Sequence, residues 1–469
     1  MNTTNKTLKI TALSSFCLLA SCTLDDSDEY IYPENLPDIS NRVMAGGETT
    51  YMLANTFSYS TPALNLTPEQ NDRHMEGDAM FEQTFVSNPA PNFGGLGPIF
   101  NSNSCISCHP GEGRAPFPDD LVRSRGFFMR VSLPGADAHG GPLSVSGLGT
   151  QVQNRAISGF RPEGRFGVTY TDIVETFKDG TQVVLKKPNY TLTGVTATIP
   201  ADILISPRTS MPVYGLGLLE FIPEADLLAA EDIEDKNKDG ISGKVNRVWD
   251  EANQRMAIGR FGWKANTASL LDEVAGSFLG DLSVTNPYHG YQVELGHGQV
   301  DSDDGRDDEP EMTKKQVDDT AFYLQTLAVP AARNLNKPSV RNGSRIFEGI
   351  GCAKCHTPKQ RTLQAPISAL ANQTFYPYTD MLLHDMGEDL ADGRPDFLAN
   401  GREWRTRPLW GIGLQELVSG HTHFMHDGRA KNITEAILWH GGEAFRAKEI
   451  FKKLSKKDRE DLLEFLNSI

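Results

Sequence analysis

Cysteine is scarce in this chain, and where it is absent matters as much as where it occurs. Six cysteines stand in 469 residues: Cys17 and Cys22 near the N-terminus, and Cys105, Cys108, Cys352 and Cys355 inside "SCISCH" and "GCAKCH". That leaves no cysteine free for a disulfide framework. No second Cys-x-x-Cys lies near either unit, so neither reads as a zinc site, which needs two further ligands at close spacing. Long apolar runs are missing too. Residues 10–20 are apolar but too few to span a bilayer, and nothing later is more apolar. Positive charge is in deficit, with 45 basic against 61 acidic residues and a net charge of −16. This excludes nucleic-acid or anionic-lipid binding by long-range attraction and suits a cationic redox partner. No Ser-His-Asp order and no phosphate-cradling glycine loop occurs in a supporting context.

What is present begins with a leader. Lys6 and Lys9 precede the apolar run, which ends in Leu19-Ala20-Ser21-Cys22. A short charged-then-apolar segment is a secretory signal, and its end resembles a bacterial lipobox, with Cys22 as the acylated residue. Residues 1–22 are therefore assigned to a lipoprotein signal and 23–45, acidic and proline-punctuated, to a disordered tether. The expected location is the bacterial cell envelope, facing the periplasm or the exterior, with the lipid as the sole membrane contact. The whole chain is 39 % hydrophobic and 23 % charged, enough to bury a core.

Cys-x-x-Cys followed at once by His is the attachment signal of c-type haem: two thioethers hold the vinyl groups and the His becomes the proximal iron ligand. Two such units predict two covalent haems, on Cys105, Cys108 and His109, and on Cys352, Cys355 and His356. The flanks repeat as well. "EGDAMFEQTF" and "NGSRIFEGI" each read as a helix ahead of a motif, and "TKKQVDDTAFYLQTL" superposes without a gap on "SKKDREDLLEFLNSI". Thr313 and Ser455 are N-cap types for these closing helices. The expectation is a mainly α protein of two tandem cytochrome c-like domains, 46–330 and 335–469, the first with a long mixed insertion.

The segments "GLGLLEFIPEADLL", "DKNKDGISGKVN", "GRFGWKAN", "PYTDMLLHDMG", "EWRTRPLWGIGL" and "HTHFMHDGRAKNITEAILWHGGEA" resemble the dihaem oxidoreductase family, labelled thiol oxidoreductase or peroxidase. The last two are also similar, more distantly, to the C-terminal domain of bacterial dihaem cytochrome c peroxidases. That resemblance implies one haem that handles electrons and one that meets peroxide. It implies Met425 as the second axial ligand of the C-terminal haem, with His384, Met386, His423 and His426 as alternatives. It also implies Glu163 as the acid–base group and Gln153 as an orienting amide at the N-terminal haem, where His139 is an alternative sixth ligand. Arg114, Arg123, Arg125 and Arg130 read as partners for haem propionates. The partners implied are an electron-donor protein or small redox carrier, and peroxide or an oxidisable partner as substrate. A non-catalytic electron carrier serving an envelope process such as iron handling is the rival reading. A dithiol activity is excluded, since thioethers would use up the four cysteines.

One motif stands apart. In "DKNKDGISGKVN", Asp235, Asn237 and Asp239 supply side-chain oxygens at positions 1, 3 and 5, and Gly240 makes the turn. The Ile241 carbonyl takes position 7 and Asn246 position 12 of a calcium loop.

Overall fold

The computed structural model describes residues 35–90, 92–117, 125–289 and 310–469. Cys22, the signal and most of the tether lie outside them, as does Arg123.

Two helix pairs, one in each half, are built on the same plan. Thr67 and Thr313 both close capping boxes, so the Pro68–Glu82 and Lys314–Thr326 helices start where their sequence says they should. In the C-terminal half, Ser455 caps the Lys456–Leu466 helix by accepting from Asp458 N at 3.1 Å, and Pro338–Gly349 opens on a proline. Each pair crosses at a glycine. A Cβ on Gly77 would stand 2.0 Å from the Asp319 carbonyl oxygen, and one on Gly343 would stand 2.0 Å from that of Asp461. Only a residue without a side chain lets the backbones approach so closely. Four residues beyond each glycine comes a phenylalanine. Phe81 lies 5.3 Å from Tyr323 and 6.1 Å from His109; Phe347 lies 5.4 Å from Phe465 and 6.4 Å from His356. The gapless superposition of the closing helices is thus a superposition of their packing partners. Each crossing buries aromatic rings completely, worth roughly 1.5–3 kcal/mol per side chain.

The expectation of a mainly α fold is wrong. The described residues are 30 % helix and 19 % strand, spread over several small sheets. Strand Phe127–Ala136 pairs antiparallel with Pro142–Leu143, Gln151–Val152 and Leu204–Thr209. Arg165–Thr176 and Gln182–Thr193 form a hairpin twelve residues long on each side. The hairpin was hard to see because much of it is exposed on both faces, so it lacks the apolar alternation of a half-buried strand. Its tip has a job. Phe177 is buried against Phe451 (5.7 Å) under the Arg459 guanidinium, Lys178 N donates to Lys452 O, and Arg459 pairs with Asp179 at 2.5 Å. An arm of the first half is thereby clamped onto the second.

The segment between the halves is equally bound. Ala328 N donates to Thr61 O, Ala331 N to Tyr51 O, and Val329 is fully buried. Ile39, near the start of the described chain, is fully buried as well.

Candidate functional site

The two Cys-x-x-Cys-His units have matching local geometry. In each the motif makes a single helical turn, with His109 N donating to Cys105 O and His356 N to Cys352 O, both at 2.9 Å. The imidazoles are then fixed from behind: His109 Nδ1 lies 2.7 Å from Met211 O, and His356 Nδ1 lies 3.0 Å from Tyr378 O. A carbonyl can only accept, so Nδ1 carries the proton and Nε2 keeps its lone pair for a metal. Burial holds His109 below the ordinary imidazole range and His356 down at about 4, so both are neutral at physiological pH. The four cysteines form no disulfide. Burial, helped by the neighbouring thiol, pushes Cys105 and Cys352 up to about 12.

Beside the C-terminal unit lies a cavity of about 460 Å³, lined by Cys352, Cys355 and His356 and walled by Phe347, Leu409, Trp410 and Ile437. Its size falls in the ~300–1,000 Å³ range of cofactor pockets. Met425 and His440 line the same cavity. Met425 sits in the left-handed region (φ 70°), and its carbonyl accepts from Arg114 Nη2 at 2.6 Å. Three alternatives from the sequence are otherwise engaged. Both nitrogens of His384 face carboxylates, Asp380 at 2.9 Å and Glu443 at 2.7 Å, which raises its pKa and fixes it as an imidazolium. His423 Nδ1 accepts from Phe117 N at 2.7 Å. His426 stacks on Trp404 at 4.0 Å.

At the N-terminal unit the structure brings Gln153 and Glu163 together. Glu163 Oε2 accepts from Gln153 N, and Glu163 N donates to Gln153 O, both at 2.8 Å; both residues are fully buried. Gln153 Nε2 donates to Gly280 O at 2.7 Å, and the next residue, Asp281, is close enough to Cys105 and Cys108 to raise both thiols. His139 is elsewhere, exposed and stacked on Trp249 at 4.0 Å.

Do these residues fit a haem at each unit? Three guanidiniums say so, two of them buried and that of Arg407 half-buried. Arg114, Arg405 and Arg407 have no carboxylate ion-pair partner among the described residues, although burial lowers all three, Arg114 to about 9 and Arg407 to about 10. All three line the 460 Å³ cavity. An uncompensated buried charge costs several kcal/mol, and haem propionates are the anions that would answer it. On the N-terminal side, Gln153 Oε1, Gln151 Oε1, Arg130 Nε and Asn154 Nδ2 are buried without a hydrogen-bond partner among the described residues. A Cβ at Gly280 would meet nothing within 4 Å. Orphaned polar atoms around open space are what a missing polar-edged cofactor leaves behind. The sequence points to Arg114 and Arg130 but not to Arg405, Arg407 or His440. The doublet "RTRP" was visible in the quoted motif, but its burial was not.

The calcium motif folds as a tight loop. Asp235 Oδ1 accepts from Asp239 N (2.9 Å), Asp235 Oδ2 from Gly240 N (3.1 Å), and Asp239 Oδ1 from Ile241 N (3.1 Å); Asn237 Oδ1 also accepts from Asp239 N (2.9 Å). Asn246 does not join them. Its side chain is fully buried; the amide donates to Lys264 O and Asp396 O, and Oδ1 accepts from Leu398 N. The remaining group with metal-ligand spacing among the described residues is Cys355, Asp380 and His384, whose ligand atoms lie within 4.8 Å of one another. The imidazolium at His384 works against a metal there, as would a thioether at Cys355.

Over residues 40–469 the chain matches the family described as "Di-haem oxidoreductase, putative peroxidase". No curated protein matches it.

Proposed function

Because the chain belongs to this family of di-haem oxidoreductases, we propose that it is a c-type redox enzyme of the cell envelope that reduces a peroxide with electrons from a donor protein or small carrier. The observation that carries the reading is the pair of Cys-x-x-Cys-His units with Nε2 of each His left free, each beside unanswered buried polar groups. Cys105, Cys108 and His109 would hold one haem, and Cys352, Cys355 and His356 the other. Bound haem supplies one-electron storage and, where its iron is open, a site for peroxide.

The chain's own residues do the rest. Arg114, Arg405 and Arg407 compensate propionate charge. Glu163, locked to Gln153, moves the proton from the near to the far peroxide oxygen as two electrons and two protons yield two waters. The haem held by Cys352, Cys355 and His356 would take electrons from the donor and supply them to the one held by Cys105, Cys108 and His109. The acidic surface favours a cationic donor, and Cys22 would tether the protein by lipid.

Haem counting on protein matured with haem is the direct test. The full chain should carry two covalent haems. Cys105→Ser with Cys108→Ser should leave one, still with a C-terminal proximal ligand. Fewer than two on the native chain would reject the reading.

We also propose a calcium ion on Asp235, Asn237, Asp239 and the Ile241 carbonyl. Calorimetry after chelation should show one calcium bound per chain, and Asp235→Ala should abolish it. Undiminished binding by that variant would place the ion elsewhere.

A further inference from the structure

We propose that His440, not Met425, is the second axial ligand of the C-terminal haem, so that its iron is held between His356 and His440. The inference rests on the haem assignment above. Its ground is the relation of the two rings, whose centres lie 6.5 Å apart. Two imidazoles whose nitrogens each sit about 2 Å from one metal stand with ring centres about 6.4 Å apart, once the half-width of each ring is added. Both rings line the one cavity.

The orientation of His440 is fixed in the way a ligand requires. It follows the Ile433–Leu438 helix, which Asn432 caps by accepting from Glu435 N at 2.9 Å. At the helix end His440 Nδ1 lies 2.7 Å from Ala436 O. The carbonyl makes Nδ1 the protonated nitrogen, leaving Nε2 with its lone pair, as at His109 and His356. Burial keeps the ring neutral. Met425 is held through its backbone by Arg114, which gives that segment a structural task independent of its sulfur.

The consequence concerns the donor. A methionine sulfur opposite His raises a haem's potential, whereas a second imidazole does not. The C-terminal haem is then a lower-potential centre than a His/Met haem, and its physiological donor must be correspondingly reducing.

Ligand substitution in the full holo-protein tests this, with haem content measured first. The oxidised native protein should lack the sulfur-to-iron charge-transfer band at the red edge of the visible spectrum. His440→Met should create that band and raise the midpoint potential of one haem alone. His440→Gly should convert one of the two haems from low spin, and added imidazole should restore it. Met425→Ala should leave the C-terminal haem low spin. A native charge-transfer band that Met425→Ala removes would overturn the assignment, as would a low-spin C-terminal haem indifferent to His440→Gly. Fewer than two haems on the native chain would instead overturn the haem assignment beneath it.

Discussion

Glu163→Gln is expected to lower kcat/KM for peroxide reduction by about 10²–10⁴-fold, the usual loss on removing a general acid–base group. The substitution keeps the size of the side chain and its hydrogen bond to Gln153 N. Glu163 is fully buried and has nearly the volume of glutamine, and one of its oxygens accepts from Gln153 N at 2.8 Å. A glutamine oxygen can still accept that hydrogen bond, and the reverse bond from Glu163 N to Gln153 O is backbone on both sides. What glutamine cannot do is take up and release a proton. The measurement is steady-state peroxide reduction with a chemically reduced donor, alongside haem content and the oxidised spectrum. Both haems should remain. Turnover close to native, with both haems in place, would reduce Glu163 to a structural link between the 151–154 strand region and the loop at 160–164.

The chemistry of this protein was legible where it is written in short linear words. Cys-x-x-Cys-His needs only five neighbouring residues, and the family match agrees with the two haems it announced. The Gln153/Glu163 pair, ten residues apart, also met in space, because Gln153 and Glu163 bond to each other across a turn. Ligation from a distance was harder. Nothing in "ILWHGG" separates His440 from any buried histidine; only the 6.5 Å between rings 84 positions apart does so. Asn246 failed for the opposite reason. It fits position 12 of a calcium loop by count, but tertiary hydrogen bonds to Lys264, Asp396 and Leu398 turn its side chain inward. The strand content was missed because the Arg165–Thr176 hairpin draws its stability from docking Phe177 on the far half, and no local periodicity records that.

Gly343→Ala is expected to destabilise the fold by about 2 kcal/mol or more, in the range for overpacked cores. The sign runs against helix propensity, which favours alanine over glycine in a helix interior by about 0.5–1 kcal/mol. Packing wins because the added methyl would lie 2.0 Å from the Asp461 carbonyl oxygen and 2.6 Å from Phe465 Cβ. A carbonyl inside the Lys456–Leu466 helix cannot yield without moving that helix. Gly77→Ala should behave alike, since its methyl would lie 2.0 Å from Asp319 O and 2.7 Å from Tyr323 Cβ. Denaturant midpoints of the two variants provide the check, and an unchanged midpoint for either would mean the helices can slide apart at no cost. The site of damage is informative too. Phe347 is one helical turn beyond Gly343 and packs 6.4 Å from His356, while Phe81 stands in the same relation to Gly77 and His109. Gly343→Ala should therefore disturb the C-terminal haem's spectrum first, and Gly77→Ala the N-terminal one. Each crossing would then be the scaffold of its own haem, repeated once along the chain.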